Sequence, residues 1–213
     1  MKTSEVKGHD LKGEAELKPT SPEQGEPRNW EVTNVQTSLN MRQKPSLTAP
    51  VVARLSPGDI LDKLGCTESA NSRWCDVQPL GGGPRGYVSH DFLKPAVGPN
   101  GAVITGEDDS AYRAGQGDFD ATGMVPCAVE QSQPMQQCDF SVARSAPGYA
   151  TVIITKPDDM KRAIFFRMGK PIGADTSEAD YPGEFKANRQ SDLNLIELGK
   201  ERYEIPDAVV LGG

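Results

Sequence analysis

Short apolar runs broken by turn-forming residues fill the chain from Trp30 to Pro95: WEVTNV, LNMRQKPS, VVARLSPGD, ILDKLGC, RWCDVQPL and RGYVSHDFL. Runs of this kind, bounded by Gly, Pro, Asp and Ser, predict β-strands joined by tight turns. VVARL runs into SPGD, where Pro presets the turn dihedral and Gly accepts a positive φ, so a strand ends in a turn there. Residues 60–66 and 74–80 are predicted to face each other as a hairpin, which sets Cys66 opposite Cys75. A second strand-rich block follows. ATVIIT at 150–155 and RAIFFRM at 162–168 flank the turn KPDDMK, and LNLIEL at 193–198 meets ERYEIP at 201–206 through Gly199 and Lys200, a glycine-first turn of the II′ kind. Helical periodicity is not sustained anywhere, so both blocks are predicted all-β: one domain at 30–96 and a compact β meander or barrel at 112–213. Residues 97–111 mix Gly with acidic side chains and are expected to form a protease-sensitive linker. Residues 1–29 hold too few aliphatics for a core and read as a disordered tail, in which Pro19-Thr20-Ser21-Pro22 is weighed as linker.

Composition narrows the class. With 22 glycines, 17 prolines and 36% hydrophobic residues in 213, the chain suits short strands with many turns, and its length fits two domains. A formal net charge of -7 argues against a nucleic-acid partner, which calls for a basic face against phosphate. No apolar run reaches the ~20 residues that span a bilayer. The first residues lack the apolar stretch of a signal peptide, so an exported protein is expected to have had its signal removed. Four cysteines fall into two close pairs, Cys66 with Cys75 and Cys127 with Cys138, and local pairing is the favoured connectivity. In an oxidising compartment each bond would close a short loop and stabilise the fold by about 3 kcal/mol on a chain-entropy argument. Four reduced thiols in a cytosolic protein are the alternative. Zinc ranks below both, because there is no CxxC and neither His9 nor His90 stands at ligand spacing from a cysteine.

The stretch LGGGPRGYV at 80–88 poses the question of a phosphate-cradling loop. A Walker loop needs G-x-x-x-x-G-K-[ST] leading into a helix, whereas here a strand follows and Lys-Ser/Thr is missing. The order of LNMRQKPS at 39–46, VARLSPGD at 52–59, RWCDV at 73–77 and GYVSHDFL at 86–93 resembles the bacterial SH3 (SH3b) domain over residues 34–95. That resemblance implies a glycine-rich turn between the strand of Trp74 and the strand of Gly86-Tyr87-Val88, so GGGPRG is predicted to be a hairpin turn. It also implies an SH3-like small barrel and a binding role, since such domains are often targeting modules of cell-wall hydrolases or envelope proteins and some bind peptidoglycan. The C-terminal half resembles regions of uncharacterised envelope proteins that carry an SH3b module.

Catalytic chemistry finds few candidates. Cysteine peptidases of the NlpC/P60 type often accompany SH3b domains and need a thiolate beside a histidine, but the cysteines are assigned to pairs and only His90 falls in an ordered stretch. S-x-G-C and GxSxG are absent, and two histidines do not supply a zinc amidase. The acidic turns DTSEAD at 175–180 and DFDATG at 118–123 offer oxygens without completing a calcium loop, so no metal or cofactor is assigned. Ligand contact is expected through Trp74, Tyr87, Arg42 and Arg85, because rings stack on sugar or peptide and guanidinium groups donate in pairs to carboxylates. The competing expectation places Trp74 and Tyr87 in the barrel wall. The reading is a non-enzymatic binding protein of the bacterial envelope, periplasmic or secreted, whose partner is peptidoglycan or an envelope protein. A carboxylate-based cell-wall hydrolase and a periplasmic inhibitor or assembly factor are the alternatives.

Overall fold

The computed structural model describes residues 25–69, 71–177 and 183–212. The PTSP segment and residues 178–180 of the DTSEAD turn lie outside the described residues. An N-terminal seven-stranded antiparallel sheet is built from β1 (Asn29–Val32), β2 (Leu39–Arg42), β3 (Val51–Leu55), β4 (Ile60–Ser69), β5 (Ser72–Pro79), β6 (Gly86–Ser89) and β7 (Leu93–Pro95). Its strand order is β3-β2-β6-β5-β4-β1-β7. Alternate residues of these strands, Val32, Met41, Leu61, Cys75, Val77 and Val88, are sealed inside it. GGGPRG joins β5 to β6 as predicted, with Val77 paired to Gly86 across the turn. Cys66 and Cys75 stand directly opposite in the β4–β5 ladder and form a disulfide.

The second sheet contains β8 (Ala121–Ala128), β9 (Gln136–Ala146), β10 (Tyr149–Thr155), β11 (Lys161–Arg167), β12 (Lys170–Ala174), β13 (Phe185–Gln190), β14 (Leu193–Leu198) and β15 (Glu201–Pro206). It runs in the order β12-β11-β10-β9-β8-β15-β14-β13, and its two end strands touch without sharing a ladder. The result is a nearly closed eight-stranded barrel. Both predicted hairpins are present, closing at Thr155 with Lys161 and at Leu198 with Glu201. Gly199 has φ 59, as a II′ turn requires of its first central residue. Strands β8 and β9, tied by Cys127–Cys138, were not legible in the sequence: Gly123 and Pro126 interrupt β8, and polar residues dilute β9. Pro126 sits just where the ladder to β15 ends, paired with Gln137 of β9 alone. Two short helices, α1 (Ser110–Gly115) and α2 (Asp207–Leu211), pack on β9 and β10, and Val209 and Val210 of α2 enter the barrel core.

Strand β11 alternates Arg162, Ile164 and Phe166 inward, which puts a guanidinium inside the barrel with only 4% of the residue exposed. Such a charge persists only when it is paired and hydrogen-bonded. Glu201 meets it from β15, accepting from Arg162 Nε at 3.0 Å and Nη2 at 3.1 Å, while Lys156 Nζ at 3.2 Å and the Tyr203 hydroxyl at 2.7 Å complete its shell. Burial alone would raise the Glu201 pKa, but donation by Arg162, Tyr203 and Lys156 outweighs it and holds the carboxyl below its ordinary value.

The two sheets meet through the residues just before and within β1. The sequence reading ended its tail at 29, yet Asn29 is 3% exposed within β1 and Pro27 bridges Thr105. Arg28 lies 4.7 Å over the Tyr149 ring, and donates through Nε to Gly106 O at 2.7 Å and through Nη2 to Glu107 O and to Ser145 Oγ at 3.0 Å. Tyr149 in turn donates its hydroxyl to Asn29 Oδ1, whose amide nitrogen donates to Asp62 at 2.7 Å. Burial pushes the Tyr149 hydroxyl up to about 12, so it remains a donor. The segment 97–111 is therefore not open chain. Val97 bridges Val103, Gly98 N donates to Ala102 O at 2.7 Å, and Arg28 N donates to Ile104 O at 2.8 Å.

The Glu201 carboxyl titrates below its ordinary 4.5 in the fold, so its stabilisation is complete above that value and drains away as pH falls through the lower folded value. Melting followed from pH 6 to pH 2 should show that loss, and Glu201→Gln, which strands Arg162 and Lys156, should cost about 3–5 kcal/mol at neutral pH. Arg28→Ala should leave both sheets folded but convert the 97–111 segment into the first site of limited proteolysis, whereas the wild-type chain should resist cleavage there.

Candidate functional site

Residues paired across antiparallel strands project to the same side of a sheet, and successive residues of one strand alternate. Arg42 of β2 pairs with Val51 of β3 on one flank and Tyr87 of β6 on the other, Tyr87 pairs with Asp76 of β5, and Asp76 pairs with Gly65 of β4. Met41, Val77 and Val88 point into the core, so this transverse row lies on the outer face. Trp74 stands two residues from Asp76 on that face, paired with Ser89 and Thr67. Strand register thus gathers Arg42, Trp74 and Tyr87 on one surface, and Arg85, in the turn before β6, joins them by its bonds to Asp76.

Residues 37–94 match the family model of the bacterial SH3 domain. No curated protein and no solved structure matches the chain, so the resemblance of the C-terminal half to envelope proteins gains no support.

Within the SH3 domain the four candidates differ in what they offer. Trp74 is 5% exposed, which leaves its ring little surface for a ligand and gives it the wall role. Tyr87 is half-buried, and burial, helped by the neighbouring Asp76 charge, raises its pKa, so its hydroxyl stays protonated. Arg42 donates one nitrogen to Ala49 O at 2.7 Å and is otherwise partly open. Arg85 is exposed and clamps the Asp76 carboxylate in a fork, Nε to the two oxygens at 2.9 and 3.0 Å and Nη2 to Oδ2 at 2.5 Å. Asp76 is 6% exposed and was not singled out in the sequence. It fixes the direction of Arg85 and keeps the guanidinium lying along the sheet. Sequence reasoning also passed over an apolar rim: Leu47, Val51 and Val52 are 76%, 44% and 39% exposed beside Arg42.

Behind this face, the glycine of the closing strand shows how tightly the sheet packs on its core side. A Cβ on Gly86 would lie 2.7 Å from Arg42 O, 2.8 Å from Met41 Cγ and 2.9 Å from Val52 Cγ2. The preceding turn, LGGGPR, rests on the barrel, where a Cβ at Gly81 would touch Ile172 of β12 at 3.6 Å.

Elsewhere the acidic turn at 118–123 is bound to its own chain. Asp118 and Asp120 both accept from Arg113, at 2.7 and 2.9 Å, and those bonds lower both pKa values, the opposite of what a general acid needs. Asp175 is likewise held low by the backbone and side chain of Ser177. His90 sits with its ring centroid 5.5 Å from that of Trp30, and burial lowers its pKa, with Arg73 and Lys63 acting in the same direction. Among the described residues no three His, Cys, Asp or Glu side chains are placed to hold a metal ion, and no helix is long and apolar enough to cross a membrane.

Gly86→Ala should destabilise the SH3 domain by about 1–3 kcal/mol through overpacking against Arg42 and Met41. The check is chemical denaturation, with Gly82→Ala as the comparison, since a Cβ there meets nothing within 4 Å and only the φ of 105° opposes it.

Proposed function

We propose that this chain is a non-enzymatic binding protein of the bacterial envelope whose SH3 domain grips peptidoglycan through the outer face of its sheet. The observation that carries the reading is the register-built row of Val51, Arg42 and Tyr87 with Arg85 beside it: an apolar rim, an aromatic edge and two guanidinium groups on one surface. Cell-wall stem peptides present carboxylates and small aliphatic groups, for which guanidinium forks and an apolar rim are the matching chemistry. Two disulfides and no free cysteine support an oxidising compartment, periplasmic or extracellular. Of the acidic turns that could serve the hydrolase alternative, the pair Asp118 and Asp120 is bound by Arg113, which holds both carboxyls below their ordinary value and leaves that pair without a raised general acid.

The test is sedimentation with purified sacculi. Arg85 is left in place, because removing it would strand the buried Asp76 carboxylate and confuse folding with binding. The double variant Arg42→Ala, Tyr87→Ala forfeits one hydrogen bond, worth about 1 kcal/mol, and should melt near the wild-type temperature while binding at least about tenfold more weakly. Wild-type affinity in that folded variant rules the face out, and a zone of clearing on murein overturns the non-enzymatic part.

A further inference from the structure

A crevice of about 450 Å³ runs between the SH3 domain and the barrel. Its walls come from three parts of the chain: Glu31 and Ile60 of the SH3 sheet, Val97 and Pro99 of the connecting segment, and Lys170 and Leu211 of the barrel. This size falls within the about 300–1,000 Å³ of small-molecule sites, which favour domain boundaries. The walls are held in place. Pro99 is wedged against Gly148 and Gly169, where a Cβ would lie 2.9 and 3.0 Å from its Cγ, and Met168 and Gly169 form a turn with φ of 52° and 72°.

The charges along the crevice are unevenly satisfied. Glu31 is engaged by Lys94 at 3.0 Å, and Arg189 is engaged by Asp207. Lys170 is exposed and has no side-chain partner among the described residues. Among the described residues the spare charge in the crevice is therefore one cation, which selects an anionic group. Around it the lining is aliphatic, with Val97 52% exposed and Ile60, Met168 and Leu211 nearby, and among the described residues it includes no aromatic ring to stack on a sugar or heterocycle. A simple alkyl chain fits poorly, because it would cover the Glu31 and Arg189 ion pairs and return no hydrogen bond. A peptide keeps its amides available to them.

We propose that this crevice binds a short peptide with small aliphatic side chains and a free C-terminal carboxylate, and that Lys170 takes the carboxylate. The ligand is either a cell-wall stem peptide or the C-terminus of a protein, which share that chemistry and differ in the chirality of the last residues. None of the crevice residues belongs to the row of Val51, Arg42, Tyr87 and Asp76, so the two sites stand or fall separately.

The experiment is a ¹⁵N–¹H NMR titration of the intact chain with Ala-Glu-Lys-Ala-Ala, once all-L and once with its two terminal alanines in the D form. Shifts centred on the amides of Gly58, Gly98 and Gly169 are expected, with the D form alone responding for a cell-wall ligand, the L form alone for a protein C-terminus, and both for a site that reads only the carboxylate. C-terminal amidation and Lys170→Glu should each weaken the response about tenfold or more, and Val97→Trp, which fills the crevice, should do the same. Lys170 is exposed, so the variant's amide spectrum reports its folding directly. The proposal is overturned if neither peptide shifts those amides, if amidated peptide or folded Lys170→Glu chain binds as well as the parent, or if decanoate shifts them where neither peptide does.

Discussion

The guanidinium of Arg28 is the joint on which the arrangement of this protein rests. It lies over the Tyr149 ring of the barrel, reaches the carbonyls of Gly106 and Glu107 in the connecting segment, and sits one residue before the first strand of the SH3 sheet. A desolvated cation over an aromatic face contributes about 2 kcal/mol, and each charge-assisted hydrogen bond about 1.5–3 kcal/mol. Asn29, the next residue, bridges the Tyr149 hydroxyl to Asp62, and Arg167 approaches Asp62 and Asp108 at 3.8 and 3.5 Å. Two domains that would otherwise be connected by a glycine-rich tether are thereby held at a defined spacing. The crevice between them has fixed walls for that reason.

Each domain also contains one buried carboxylate that is matched to arginine, and the two serve different ends. Glu201 is enclosed in the barrel and answers Arg162 and Lys156, so it specifies how β10, β11 and β15 align. Asp76 is buried at the surface of the SH3 sheet, with its partner Arg85 half in solvent. There the carboxylate acts as a fixed mount for a guanidinium that is still open on its outer side. A buried pair of the first kind stabilises little in net terms but penalises wrong pairings, whereas the second kind aims a donor at whatever approaches the sheet.

The glycine-rich turn that joins β5 to β6 links these themes. Its backbone lies against Ile172 of the barrel through Gly81, and Arg85 at its end turns back to Asp76. A stretch that superficially suggests phosphate binding is thus a contact between domains on one side and a binding-face residue on the other.

Local sequence carried the fold class, the three hairpins and the cysteine pairing, because each rests on neighbours in the chain: turn residues that dictate φ, and strand lengths that set Cys66 opposite Cys75. It also named Arg42, Tyr87 and Arg85, whose chemistry is visible in the residue type alone. It did not show β8, β9, β12 or β13, whose mixed composition becomes strand only when the barrel supplies ladder partners, on both sides for β8 and β9 and on one side for the end strands β12 and β13. Nor did it show Asp76, Lys170 or Arg28 as special among so many charged residues. Their roles depend on pairing across the sheet at Tyr87, on the absence of a partner in a crevice, and on a ring 121 positions away in the chain. Register and domain packing decide such relationships, because burial and charge pairing are set by distances in space, which the order of residues does not contain.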